Sequence, residues 1–242
     1  MESTDVLTPL LSLSGVSVAY GKAEVVHDVD LVVHAGSVTT LLGHNGAGKT
    51  TTLGAAFGSL PIRSGSVSFK GLDVKKWSAA RRAREGMTFI PAVEFVFPDL
   101  TVEENLSLAN FAAKADRATV RSRLDEVHSR WPILAERRSQ IAGTLSGGQR
   151  RMLSLGVALM TDPAVLLLDE PSLGLSPVLV DNLLADLRTL ANQRGIGVLL
   201  VEQAVSKALA MADDAYVIRS GRIIAHESAA RLAERESLWD LF

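Results

Sequence analysis

Eight consecutive residues in the first quarter of the chain could grip a phosphate. Gly43-His44-Asn45-Gly46-Ala47-Gly48-Lys49-Thr50 fits the pattern G-x-x-x-x-G-K-[ST]. Each residue type has a reason. The glycines let the backbone bend so that several N–H groups aim at one anion. A helix starting at the end of the loop adds the positive end of its dipole. Lys49 would reach the β- and γ-phosphates of a nucleotide, and the Thr50 hydroxyl would bind Mg2+. The expected nucleotide set is Gly43, Asn45, Gly46, Ala47, Gly48, Lys49, Thr50 and Thr51. The bland alternative, a chance glycine-rich turn, does not explain why an apolar run precedes the loop and a helical pattern follows it.

A second group lies over a hundred residues later. The apolar run 164–168 ends in Asp169-Glu170. Two acids at the end of a buried strand sit at the carboxyl edge of a sheet, where α/β proteins bind ligands. Asp169 suits the Mg2+ shell, and Glu170 suits the orientation and polarisation of an attacking water. Alone the pair would read as a solvated strand end; beside a phosphate loop it reads as hydrolytic.

The elements that must position these groups follow from periodicity. Leu11, Leu13, Val16 and Val18, then Val29, Leu31 and Val33, recur near period two, so residues 11–42 read as β. Residues 37–42 form a short strand into the loop, and a helix leaves it from Thr50. Gly65 and Gly71 punctuate a strand pair at 65–75, residues 77–85 read as a basic helix, and a strand at 87–90 stops at Pro91. From Thr101 to about Leu159 the pattern is helical, opened by a Thr101–Glu104 capping box. The last third alternates strand (165–168), helix (178–190), strand (198–201), helix (207–211) and strand (216–218). Ser176, Pro177 and Gly195 suit the cap, first turn and stop of the long helix. Such alternation predicts a mostly parallel α/β sheet, with the helical block as an insertion.

Composition bounds the rest. The chain has 242 residues, 47% hydrophobic and 21% charged, with a net charge of −2. That is globular, and it argues against a nucleic-acid binder. With no cysteine, disulfides and thiolate metal sites are excluded. The start MESTDVLTPLLSL lacks a basic region before its apolar stretch and does not read as a signal peptide. No apolar run approaches the ~20 residues that cross a bilayer, so another chain would hold this one at a membrane.

Between the two acid and phosphate motifs lies Leu145-Ser146-Gly147-Gly148-Gln149, followed by Arg150 and Arg151. In that order, the three motifs resemble ATP-binding cassette (ABC) ATPases over nearly the whole chain. The resemblance implies a P-loop NTPase (RecA-like) core with an antiparallel β subdomain and an inserted helical subdomain. It implies one ABC ATPase domain over 9–242: core at about 9–92 and 160–228, helical part at about 93–159, tail at 229–242. ATP and Mg2+ are the implied cofactors, with Thr50 and Asp169 on the metal and Lys49, Glu170 and Gln203 catalytic. The signature residues Ser146, Gly147, Gly148 and Gln149 would cover the γ-phosphate of ATP on a second cassette packed head to tail. Leu173-Gly174-Leu175-Ser176-Pro177 would link the two sites. Tyr20 would stack on adenine; its plain alternative is a half-buried edge tyrosine.

The segments VAYGKAEVVHDVDL, FPDLTVEENL, DEPSLGLSPVLV and VEQAVSKALAMADDAYVI are similar to the branched-chain amino-acid and urea importer branch. Gln203 stands where most cassettes carry His. It can donate an amide N–H to the γ-phosphate but cannot become a cation. The branch implies transmembrane permease subunits, docked at about 93–110 around Phe95, Phe97 and Leu100, an extracytoplasmic solute-binding protein served indirectly, and a place on the cytoplasmic membrane face. Ala92 departs from the family, which has Gln or Glu after the proline; Glu94 or water would have to substitute. The expectation is slow hydrolysis here, with turnover leaning on the other cassette. The rival readings are an exporter or lipid-transport ATPase, a weakly hydrolysing regulatory cassette, and a soluble nucleic-acid-coupled cassette.

Overall fold

The computed structural model describes residues 9–93, 95–113 and 115–235. The reading of residues 1–8, the substitute carboxylate Glu94 and residues 236–242 of the expected tail lie outside the described residues.

The chain opens with β1 (Leu11–Tyr20), β2 (Ala23–Val33) and β3 (Val38–Leu42), then α1 (Lys49–Phe57), β4 (Ser64–Phe69), β5 (Leu72–Asp73), α2 (Ala79–Arg84) and β6 (Met87–Ile90). A helical stretch follows: α3 (Val102–Ala113), α4 (Arg117–Arg130), α5 (Pro132–Glu136) and α6 (Gly147–Met160). The chain then runs β7 (Val165–Asp169), α7 (Pro177–Arg194), β8 (Gly197–Val201), α8 (Val205–Met211), β9 (Asp214–Arg219), β10 (Arg222–Ser228) and α9 (Ala229–Ala233).

Two sheets form, in the orders β2-β1-β4-β5 and β10-β9-β3-β8-β7-β6. The first is antiparallel. In the second, every pair except β9–β10 is parallel. The fold is thus the expected α/β class. A parallel sheet is covered on both faces, so its strands are continuous apolar runs and not alternating ones. Residues along them still point alternately. Leu166, Leu168, Val198 and Leu200 pack with the helices, whereas Leu167, Leu199 and Val201 pack with α1 and the antiparallel sheet. The helices between β6 and β7 join the first of these cores through Leu106, Val127 and Leu153. They approach closely because α6 carries Gly156, where a Cβ would lie 3.0 Å from both Leu106 and Val127.

Two features exceed the sequence expectation. The last strand expected, 216–218, is the middle of β9, and the chain reverses at Ser220 and Gly221, both at positive φ, into β10. β10 was not expected, because none of its residues is buried and its apolar signal is weak. Beyond it, α9 buries Ala229 and Leu232, so this part of the expected tail is packed structure. The cap of α7 also differs in detail: Ser176 and Pro177 occupy the N-cap and first turn, but the Ser176 side chain makes no capping bond.

Asp213, ahead of β9, ties three elements together. It accepts from the Val38 N–H at 2.8 Å and from the Arg188 guanidinium of α7. Burial alone would raise its carboxyl, yet Arg188 and the Val38 N–H together hold it below the ordinary aspartate value. A carboxyl depressed in the folded state stabilises it above the unfolded pKa, and loses that contribution as acid protonates it. Asp213→Asn is therefore expected to cost about 1 kcal/mol near neutral pH, a figure discounted for the pair's partial exposure. The difference from wild type should shrink below about pH 3.9. Urea melts across that range check it.

Candidate active site

Because β3, β8 and β7 are parallel neighbours, their carboxyl ends share one edge. The phosphate loop follows β3, Glu202 and Gln203 follow β8, and Asp169 and Glu170 close β7.

The loop's shape depends on its glycines for different reasons. Gly46 and Gly48 have φ of 82° and 109°, and Gly48 is the N-cap of α1. Gly43 instead lacks space: a Cβ there would sit 2.3 Å from the Ile218 carbonyl oxygen of β9. Lys49, buried, turns its ammonium back onto the loop and donates to the Gly43 and His44 carbonyls at 2.6 and 3.0 Å. Burial lowers the pKa of Lys49, while Glu170 and Asp169 pull it back up in part. The ammonium is thus held over the loop by short bonds that phosphate oxygens could replace.

The acids meet the loop across β8. Thr50 Oγ1 donates to Asp169 Oδ2 at 2.8 Å. Asp169 is 3% exposed, and burial raises its carboxyl above the usual range against the Thr50 bond. Its other oxygen, Oδ1, is buried and has no hydrogen-bond partner among the described residues. A buried carboxylate oxygen without a donor, next to a Thr hydroxyl, fits a hard divalent cation such as Mg2+, which takes few protein ligands plus phosphate oxygens. Glu170 sits at φ 46°, the left-handed region, with its N–H on the Val201 carbonyl. Its Oε2 accepts from Gln203 Nε2 at 2.7 Å.

Lys49, Thr50, Glu170 and Gln203 line a cleft of about 310 Å3, with Asp169 buried behind Thr50 and outside the lining. Its walls include Asn45, Gly46, Gly48, Lys49, Thr50 and Thr51 of the loop region, with Glu170 and Gln203 opposite. Gly43 and Ala47 do not line it; Ala47 is buried and its carbonyl accepts from the Gly221 N–H. Tyr20 stands 53% exposed at the β1–β2 turn and is not part of the lining, whereas Val25 is. The signature residues are not brought to this cleft either. Ser146 caps α6 in a reciprocal capping box with Gln149, and Ser146 and Gly147 lie exposed. No atom lies within 4 Å of a Cβ at Gly147, so a ligand presented from outside meets open backbone there.

Sequence reasoning missed three groups. Val25 carries no signal beyond its strand. Arg151 donates to the Ala92 carbonyl at 3.2 Å, so α6 grips the loop at the position where Ala92 departs from the family pattern. Glu202 is 2% exposed and bonded to both neighbouring segments. Its signal was a carboxylate directly after a buried strand, overshadowed by Gln203 beside it.

A model of the ABC transporter family matches residues 26–173. This chain belongs to the ABC transporter family. As an ABC cassette of this kind it is an ATPase. It is 40% identical to the high-affinity branched-chain amino acid transport ATP-binding protein BraG of Pseudomonas aeruginosa, covering 96% of this chain and 99% of that one. It is 36% identical to a probable branched-chain amino acid transport ATP-binding protein, LivF, of Archaeoglobus fulgidus, covering 90% and 91%. A solved ATP-binding subunit of an ABC transporter superposes with a TM-score of 0.83 at 28% identity, covering 95% and 94%.

The two glycine mechanisms predict different costs. Gly43→Ala is expected to lose at least about 2 kcal/mol through the clash with backbone. Gly46→Ala, with open space around it, should lose about 1–2 kcal/mol through its left-handed backbone alone. Urea denaturation of both variants tests the order.

Proposed function

We propose that this cassette hydrolyses Mg-ATP to drive an importer of branched-chain amino acids or a related small polar solute. The observation that carries the hydrolytic part is one cleft lined by Lys49, Thr50, Glu170 and Gln203, with Asp169 bonded to Thr50 and Gln203 to Glu170. The importer part rests on end-to-end similarity to BraG.

In this reading the loop N–H groups and Lys49 hold the β- and γ-phosphates, Lys49 exchanging carbonyl partners for phosphate oxygens. Thr50 and Asp169 would hold Mg2+, which supplies charge neutralisation between the phosphates when bound. Glu170 orients the attacking water and accepts its proton. Gln203, now on Glu170, donates to the γ-phosphate. Ser146 and the glycine N–H groups of a second cassette, identical or a sister, close the pocket from outside, and the exposed Leu173 and Val178 suit that contact. Tyr20 offers its exposed ring to adenine.

The motion would be passed to transmembrane permease subunits, since among the described residues no helix is long and apolar enough to cross a membrane. The proposed dock is a groove of about 880 Å3 between the parallel sheet and the helical stretch. Phe89, Phe95, Phe97 and Leu108 line it, and Phe97 is 62% exposed, a suitable seat for an apolar segment of a partner. Phe95 also packs on the core, and so serves both surfaces. The cassette would sit peripherally on the cytoplasmic face, serving a solute-binding protein only through the permease.

Lys49→Ala should weaken ATP binding about a hundredfold or more, as two charge-assisted bonds are lost; calorimetric titration reads it. Glu170→Gln should lower kcat by about 10²–10⁴-fold and let Mg-ATP trap dimers, alone or with a sister cassette, seen by size-exclusion chromatography. Unchanged affinity in the first, or full turnover in the second, sinks the hydrolytic reading. If Ala92, lacking a polar side chain, slows this site, Glu170→Gln introduced into one cassette at a time of the assembly should cost less here than in its sister; equal losses overturn that.

A further inference from the structure

We propose that Glu202 is a positioning residue that clamps the turn after Glu170 to the strand end carrying Gln203, coupling the partner-facing loop to the hydrolytic pair. This rests on the hydrolytic reading above and adds to it a residue with no part in nucleotide contact.

The geometry is specific. Glu202 follows β8 and is 2% exposed. One oxygen accepts from the Ser172 N–H at 2.9 Å. The other accepts from the Ser172 hydroxyl at 2.6 Å and from the Gln203 N–H at 3.2 Å. A single buried carboxylate therefore holds a residue two places after Glu170 and the backbone of Gln203. Two further links join the same segments: the Glu170 N–H to the Val201 carbonyl at 2.8 Å, and Gln203 Nε2 to Glu170 Oε2 at 2.7 Å. The first is a fixed backbone contact. The second must open if Gln203 is to reach a γ-phosphate. Glu202 is the remaining link, and it stays closed while the second exchanges.

Ser172 also starts the turn that projects toward a facing cassette. The Leu173 N–H bonds to the Glu170 carbonyl and the Leu175 N–H to the Ser172 carbonyl, and Leu173 between them is 57% exposed. Pressure on that exposed turn reaches Ser172, and through Glu202 the backbone of Gln203. Charge-assisted bonds in a buried place are stiff, and removing one partner leaves the others without acceptors. The carboxylate thus fixes how far Gln203 stands from Glu170 when the cassettes close.

Glu202→Gln tests this in the full transporter assembly, because the amide keeps one acceptor oxygen but turns a donor toward Ser172. The expected result is a fall in kcat for ATP of about tenfold or more, as for other outer positioning groups, with KM for ATP nearly unchanged and a modest drop in the thermal midpoint. Ser172→Ala should lower kcat several-fold in the same way, and the double variant should be no slower than Glu202→Gln alone. Wild-type kcat in Glu202→Gln, or a loss of ATP binding together with the thermal midpoint, overturns the proposal. If Glu202→Gln does not fold, Ser172→Ala decides: wild-type kcat there overturns it too. Glu170→Gln run alongside separates the readings. If it stops turnover while Glu202→Gln does not, only the clamp fails; if it does not stop turnover, the hydrolytic reading itself fails.

Discussion

The hydrogen bond from Thr50 to Asp169 spans the width of β8 and fixes the spacing of the site. One partner opens α1; the other closes β7. β3, which leads into the loop, and β7 are not paired, since β8 lies between them. The distance between the phosphate loop and the acid pair is therefore set by two strand spacings and one side-chain bond. That geometry requires a parallel sheet, in which three neighbouring strands deliver their carboxyl ends to the same edge.

Around that bond the site holds opposed charges in a buried place. Burial pushes both Lys49 and Asp169 toward neutrality; the two acids pull Lys49 back, and Thr50 and then Lys49 restrain Asp169. Each group is costly alone and tolerable in the others' company. Substitution of any one of them disturbs the rest, so effects of paired variants in this cleft should not add. The left-handed backbone of Glu170 belongs to the same economy: strain at one residue is held in place by its bond to Val201 and by the clamp on the following turn.

The signature stands apart from this cleft, and its side chains are engaged within their own helix cap. Its backbone at Ser146 and Gly147 is exposed and away from the cleft, open to whatever packs against that face. Arg151, on the same helix, ties that helix to the loop at Ala92 through its carbonyl.

The sequence alone determined the phosphate loop, the acid pair and the strand order's alternating character, because each is written in contiguous residues: glycines before Lys49, an apolar run before Asp169, period-two and helical patterns between them. It also carried the family through the spacing of three motifs. Tertiary structure decided what depends on residues distant in the chain. That Gly43 is needed for space and not for φ follows only from Ile218, 175 positions away, lying against it. That Val25 and not Tyr20 lines the cleft follows from where the β1–β2 turn sits. β10 was not legible because a strand without buried residues leaves only a weak apolar imprint. Glu202 became legible only when Ser172 was found against it, since a buried carboxylate declares its purpose through its partners and not through its neighbours in sequence.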